Sequence, residues 1–111
     1  MIKKVHYKSK KRECEAFGNY NFNTNELEVI KGAKISSRQD NSFRLSKNAN
    51  KRNNKEYVKN GILQENIKFS SPSIAAQFVS GSSLNGLKVW KLESGISLKS
   101  YLEEKRDGCQ V

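Results

Sequence analysis

Phe69–Trp90 reads FSSPSIAAQFVSGSSLNGLKVW, and every local signal in it agrees. Ser71 is a helix N-cap type, because its hydroxyl can accept from the free backbone N–H groups of a first turn. Pro72 follows at the first helical position, where its missing N–H costs nothing and its fixed φ suits a helix. Ile74, Ala75, Phe78 and Val79 recur at i, i+1, i+4 and i+5 and so share one helical face. Gly81 is placed to end the helix in a left-handed conformation. Ser82–Gly86 reads as a loop closing on Asn85-Gly86, a turn dipeptide. Leu87–Leu92 then reads as a short strand carrying the only tryptophan, Trp90. A capped helix, a tight loop and a strand make a unit around which the other elements are arranged.

Upstream, Ala16–Phe22 alternates Tyr20 and Phe22 with Asn19 and Asn21, the period of a half-buried strand. Asn23–Asn25 is its turn and Leu27–Ile30 the return strand, so residues 16–31 read as a β-hairpin. Gly32 allows a bulge or sharp bend, and Ala33–Ser36 reads as a further strand or its continuation. Arg38–Asn41 is a polar loop and Phe43–Leu45 a short extended piece. Residues 46–60, SKNANKRNNKEYVKN, are polar on nearly all sides, with five asparagines and a thin apolar seam of Ala49, Tyr57 and Val58. A helix is expected over about residues 49–60, ended by Gly61. Ile67–Phe69 is a strand entering the capped helix. After Trp90, Ser97 can cap a last helix over about residues 98–105 with Leu98, Tyr101 and Leu102 on its inner face, and residues 107–111 form a tail. The fold expected is α+β: a small, mostly antiparallel sheet with an N-terminal β-hairpin and about three helices.

Charge is uneven along the chain. Of 111 residues, 21 are Lys or Arg and 11 Asp or Glu, a formal net charge of +10. Residues 1–60 hold 15 of those basic side chains and 6 of the acidic ones. The first twelve residues hold six Lys and Arg and no acid. They read either as a short extended segment through Ile2, Val5 and Tyr7 or, taken as 1–15, as a flexible basic arm. A basic half beside a near-neutral one points to a polyanionic partner, above all nucleic acid, against the plainer reading of lysines kept for solubility. The mean hydropathy of −0.79 and an apolar share of 35 % predict a small core with a large polar surface.

The residues that carry catalysis are sparse. His6 is the only histidine, and Asp40 and Asp107 are the only aspartates. No HxH, HExxH or CxxC spacing and no Gly-rich phosphate loop is present. Cys14 and Cys109 stand too far apart in sequence for a metal or redox motif and read as free thiols in a reducing cytoplasm. No apolar run is long enough to cross a membrane. The expectation is a non-enzymatic cytoplasmic module with no cofactor, no metal and no membrane partner. Ser71 and Ser73 are better read as caps than as nucleophiles, because no histidine accompanies them.

Taken together, FSSPSIAAQFVSGSSLNGLKVWK and SGISLKSYLEE closely resemble a small accessory domain of unknown function. That domain is found at the C-terminus of many GIY-YIG nuclease-type and restriction or modification proteins. The resemblance rests on Phe69, Ser71, Pro72, Ser73, Ala75 and Ala76, then Gly81, Ser83, Asn85, Gly86 and Trp90, then Gly95, Ser97, Leu98 and Lys99. VIKGAKIS (Val29–Ser36) and YVKNGIL (Tyr57–Leu63) extend it, so that it covers roughly residues 16–102. The layout is also similar to the RAMA (restriction enzyme and adenine methylase associated) domain, which implies DNA recognition in an accessory role.

The resulting expectation is a single α+β accessory domain over residues 16–106 that binds nucleic acid, DNA before RNA, with a nuclease or methylase subunit as a further partner. The alternative is a protein–protein interaction or assembly module. The residues expected to contact nucleic acid are Lys34, Arg38, Arg44, Lys47, Lys51, Arg52, Lys55, Lys59, Asn85, Lys88, Trp90 and Lys91. The cations would meet phosphates. Asn85 would read a base edge, and Trp90 would stack on a base unless it is the centre of the core.

Overall fold

Val5 and Tyr7 alternate with Lys4, His6 and Lys8, the period of a strand with one buried face. A computed structural model describes residues 2–37, 54–82 and 84–109, and places this stretch in β1 (Ile2–Ser9). It pairs antiparallel along its whole length with β2 (Cys14–Asn21), from Ile2 opposite Asn21 to Ser9 opposite Cys14. The extended reading of the N-terminal residues is therefore the observed one. β2 pairs in turn with β3 (Leu27–Val29), the hairpin expected from the Tyr20 and Phe22 alternation. Gly32, at φ 93°, lets the chain bulge after β3 and return to β2, where Lys34 and Glu15 exchange backbone hydrogen bonds of 2.8 and 3.0 Å.

The chain then forms β4 (Val58–Lys59), β5 (Ile62–Leu63), β6 (Ile67–Phe69), α1 (Pro72–Ser80), α2 (Gly86–Val89), β7 (Lys91–Leu92) and α3 (Leu98–Cys109). Five strands make one antiparallel sheet in the order β6-β3-β2-β1-β7, and β4 and β5 form a small separate hairpin. That hairpin is joined to residues 32–35 by hydrogen bonds from Gly32 to Leu63, Leu63 to Ala33 and Ile35 to Gly61.

All three helices lie in one layer. α1 packs on β2, β3 and β6, and α2 lies between α1 and α3. The core between helices and sheet holds Val5, Tyr7, Ala16, Tyr20, Leu27, Val29 and Phe69 from the strands, with Ala75, Ala76, Phe78, Val79, Trp90 and Leu98 from the helical side. Burying a ring such as Phe78, whose centroid lies 5.0 Å from that of Phe69, contributes about 2–3 kcal/mol. Burial pushes the Tyr7 phenol up to about 12, helped by the adjacent Cys14 thiol, so Tyr7 is neutral in the core.

The capped helix forms as its residues dictate. Ser71 Oγ accepts from Ile74 N at 3.2 Å, Pro72 is the first helical residue, and Gly81 ends α1 at φ 76°. Arg12, from the β1–β2 turn, donates through Nε and Nη2 to the Ser80 carbonyl at 3.1 and 2.9 Å. A guanidinium here satisfies an end carbonyl and complements the negative end of the helix. Replacing Arg12 with Ala is expected to cost about 1–2 kcal/mol, read as a lower urea midpoint with an unchanged m-value.

Three expectations are corrected. The helix expected over 49–60 is not present in its described part: Asn54–Tyr57 form a turn, and Val58–Lys59 and Ile62–Leu63 are hairpin strands. Asn60 and Gly61, at φ 53° and 77°, form the two-residue turn between them, the pairing of positive φ values that Asn-Gly favours in hairpins. Residues 38–53, with the loop and extended piece expected there, lie outside the described residues. The strand expected at Leu87–Leu92 is a single helical turn, Gly86–Val89, followed by a two-residue strand. Asn85 caps that turn at φ −77°, its Oδ1 accepting from Leu87 N at 3.0 Å. The last helix runs on to Cys109, through the start of the expected tail.

Candidate functional site

Two groups of residues compete for a functional reading: the Ser71–Trp90 motif and the basic half of the chain. In the motif, Ser73 Oγ accepts from Gly86 N at 3.0 Å, and the Trp90 indole Nε1 donates to the Pro72 carbonyl at 3.0 Å. Gly86 lies against the backbone of Pro72 and Ser73, and a Cβ there would fall well under 3.0 Å from three of their backbone atoms. The motif is thus a clasp that ties α2 to the first turn of α1. Trp90 is 0 % exposed and meets the Tyr7 ring edge-on at 5.8 Å, so it cannot stack on a base.

The basic half builds a surface instead. Residues paired across antiparallel strands project from the same face of a sheet. Val5, Tyr7, Ala16 and Tyr20 face the helices, so Lys4, His6, Lys8, Glu15, Phe17 and Asn19 face the other way. The main helix contacts of the sheet, those of α1 with β2, β3 and β6, are made on the first face. Registered pairs extend the second face: His6 opposes Lys91, Glu28 opposes Lys68, Glu15 bridges to Lys34, Lys34 to Ile62, and Lys59 opposes Ile62.

Near the middle of this face stands Phe17, 59 % exposed. Its ring stacks on that of its cross-strand partner His6, with centroids 4.4 Å apart and planes 17° from parallel. His6 Nε2 lies 2.7 Å from Glu15 Oε2, the imidazole donating to the carboxylate, which holds the ring in place. A groove of about 540 Å³ runs on one side of Phe17, lined by Lys4, His6, Lys91, Leu92, Glu93 and Gly95. A second groove, of about 160 Å³, lies on its other side between Glu15, Ile30, Lys31, Gly32 and Lys34.

A family model described as a domain of unknown function, DUF4357, matches residues 6–102. The chain belongs to the DUF4357 family. No curated protein and no solved structure matches it. The matched region of this DUF4357 domain starts in β1 and ends in α3, so it includes the clasp, Phe17 and most of the lining of the two grooves beside that ring, with Lys4 just before its start.

The candidate residues divide between the two layers. Lys34 and Lys91 are exposed on the open face of the DUF4357 sheet, and Lys59 is exposed on the separate β4–β5 hairpin, opposite Ile62, which bridges to Lys34. Lys55 is exposed in the turn before β4. Asn85 and Lys88 are exposed on α2, in the helical layer, and the Asn85 side chain is engaged in capping. Arg38, Arg44, Lys47, Lys51 and Arg52 lie outside the described residues. Sequence reasoning passed over Lys4, His6, Lys8 and Phe17 as surface groups. The available signal was the alternation of Lys4, His6 and Lys8 with Val5 and Tyr7, which assigns all three to one exposed face.

Among the described residues no three His, Cys, Asp or Glu side chains gather to hold a metal ion, and no helix there is long and apolar enough to cross a membrane. The open face offers ammonium groups interspersed with the Glu15, Glu28 and Glu93 carboxylates, one fixed imidazole and an accessible aromatic ring. Its cations and its ring are groups for holding a polyanion and stacking on a planar partner.

Proposed function

We propose that this DUF4357 domain is a non-catalytic nucleic-acid-binding accessory module of restriction–modification or repair type, acting on DNA before RNA in the cytoplasm. The observation that carries this reading is the open sheet face, where Lys4 and Lys91 on one side and Lys31 and Lys34 on the other line grooves beside an exposed aromatic ring. Its resemblance to GIY-YIG-associated and RAMA domains supports the choice of DNA, with a nuclease or methylase as the neighbouring subunit. The clasp residues are assigned to folding, and Asn85 and Trp90 leave the set of ligand contacts.

Electrostatic docking of this kind releases counterions from the phosphates. If about six phosphates are neutralised, the log–log dependence of affinity on salt should have a slope of about −5 on duplex and about −4 on single strands. Fluorescence anisotropy with labelled oligonucleotides across a salt series measures it. Absence of binding to any DNA or RNA at low salt defeats the proposal. Self-association that ignores salt would instead favour an assembly module, with Ile2, Phe17 and Ile62 as its exposed apolar residues.

A further inference from the structure

Resting on that reading for the choice of DNA, we infer that the open face binds an unpaired DNA strand, with a base stacked on Phe17 and the backbone running across β7, β1 and β2. A ring 59 % exposed on a strand with neighbours on both sides is a poor probe of duplex DNA. In a duplex the flat faces of the bases are covered by one another, and the major groove admits a helix or a two-stranded ribbon rather than a five-stranded face. An unpaired strand presents its base faces, and aromatic side chains on a cationic surface take them up with little regard to sequence.

The details around Phe17 fit such a ligand. His6 covers part of one side of the ring and is tethered by Glu15, so the pair forms a rigid two-ring stack. The carboxylate of Glu15 is turned to His6 in the same contact. The two grooves flank the ring, and each carries cations, Lys4 and Lys91 on one side and Lys31 and Lys34 on the other. A strand crossing from Lys91 to Lys34 would thus meet phosphate partners before and after the stacked base. Glu28 stands in the cross-strand row of Lys4 and Asn19, next to the row of Lys91, His6 and Phe17, and is opposed there by Lys68.

The test compares a labelled oligothymidylate of about 15 nucleotides with a duplex of the same length and with oligouridylate. The single-stranded DNA should bind about ten-fold or more tightly than the duplex. Phe17→Ala should weaken single-strand binding by about 5- to 100-fold while leaving the salt slope unchanged, because no phosphate contact is lost, and Phe17→Tyr should retain it. A thermal melt of Phe17→Ala should match the parent, since the side chain is exposed. In the unsubstituted protein, a 2-aminopurine placed among thymidines should be quenched on binding, a readout independent of any variant. Equal or tighter duplex binding, or a Phe17→Ala protein of unaltered affinity, overturns the inference and leaves the nucleic-acid reading standing. Tighter binding of oligouridylate overturns the assignment to DNA. Binding to none of the three at low salt overturns both readings together.

Discussion

Trp90→Ala is expected to destabilise the fold by about 3–5 kcal/mol, the range for truncating a large buried aromatic side chain. The indole is fully buried, so its removal opens a cavity between Tyr7 and the first turn of α1. It also removes the 3.0 Å hydrogen bond from the indole N–H to the Pro72 carbonyl, which contributes about 1 kcal/mol. Against a typical domain stability of about 5–15 kcal/mol, this loss brings the chain close to unfolding at 37 °C. Urea titration followed by circular dichroism measures it. Trp90→Phe separates the two contributions, since it retains much of the volume but not the N–H donor. Trp90 is the only tryptophan, so intrinsic fluorescence reports its surroundings directly. Emission in the folded protein should be blue-shifted, and adding oligonucleotide should leave it nearly unchanged. Strong quenching by bound nucleic acid would place the indole at the ligand and contradict its position in the core.

Gly86→Ala is the second large effect. The obstacle is backbone, not a mobile side chain: the added methyl group would enter the space of the Pro72 carbonyl and the Ser73 nitrogen. α2 would have to lift off α1, giving up the Gly86 N to Ser73 Oγ bond and shifting Trp90 with it. A cost of about 3 kcal/mol or more is expected, which for a domain of this size lowers Tm by on the order of 15 °C. Gly95→Ala provides the contrast. Gly95 sits at φ 94° with no atom within 4 Å of an added Cβ, so only backbone strain opposes the change. Its cost should be about 1 kcal/mol. Equal losses in the two variants would show that close approach to α1 is not the reason for glycine at position 86.

These expectations bear on what the Ser71–Trp90 motif is for. The motif residues Ser71, Pro72, Ser73, Gly86 and Trp90 are each explained by a contact within the clasp. Their chemistry is spent on holding a one-turn helix against a longer one. The exposed ring and the cations beside it lie on the other side of the sheet, and none of them belongs to a compact sequence motif. Lys4, Phe17, Lys34 and Lys91 come from four separate segments, joined only by strand register. Groups gathered in this way leave little trace in a linear pattern, because a sheet face is assembled from every second residue of several strands.

Local chemistry was a good guide wherever the information needed was itself local. The Ser71 cap, the Pro72 start and the Gly81 stop define α1 from within a dozen residues, and the alternation about Tyr20 defines β2 and its hairpin with β3. The failures have one cause. Asn-Gly has two uses, and which applies depends on neighbours. At Asn60-Gly61 it turns a hairpin, with both φ values positive. At Asn85-Gly86 it caps a helix, because the Gly86 backbone must fit against Pro72 and Ser73. Likewise six cations in the first twelve residues leave a mobile arm and a strand equally open. The strand forms because Val5 and Tyr7 find a core built by residues far along the chain, and Arg12 finds the end of α1. The helix caps and the alternating strands follow from bonding within a few residues, and the excess of positive charge from composition alone. That Trp90 is core and Phe17 the exposed ring emerges from long-range packing. Burial is a property of what long-range packing brings to either face of a strand, and no local pattern specifies it.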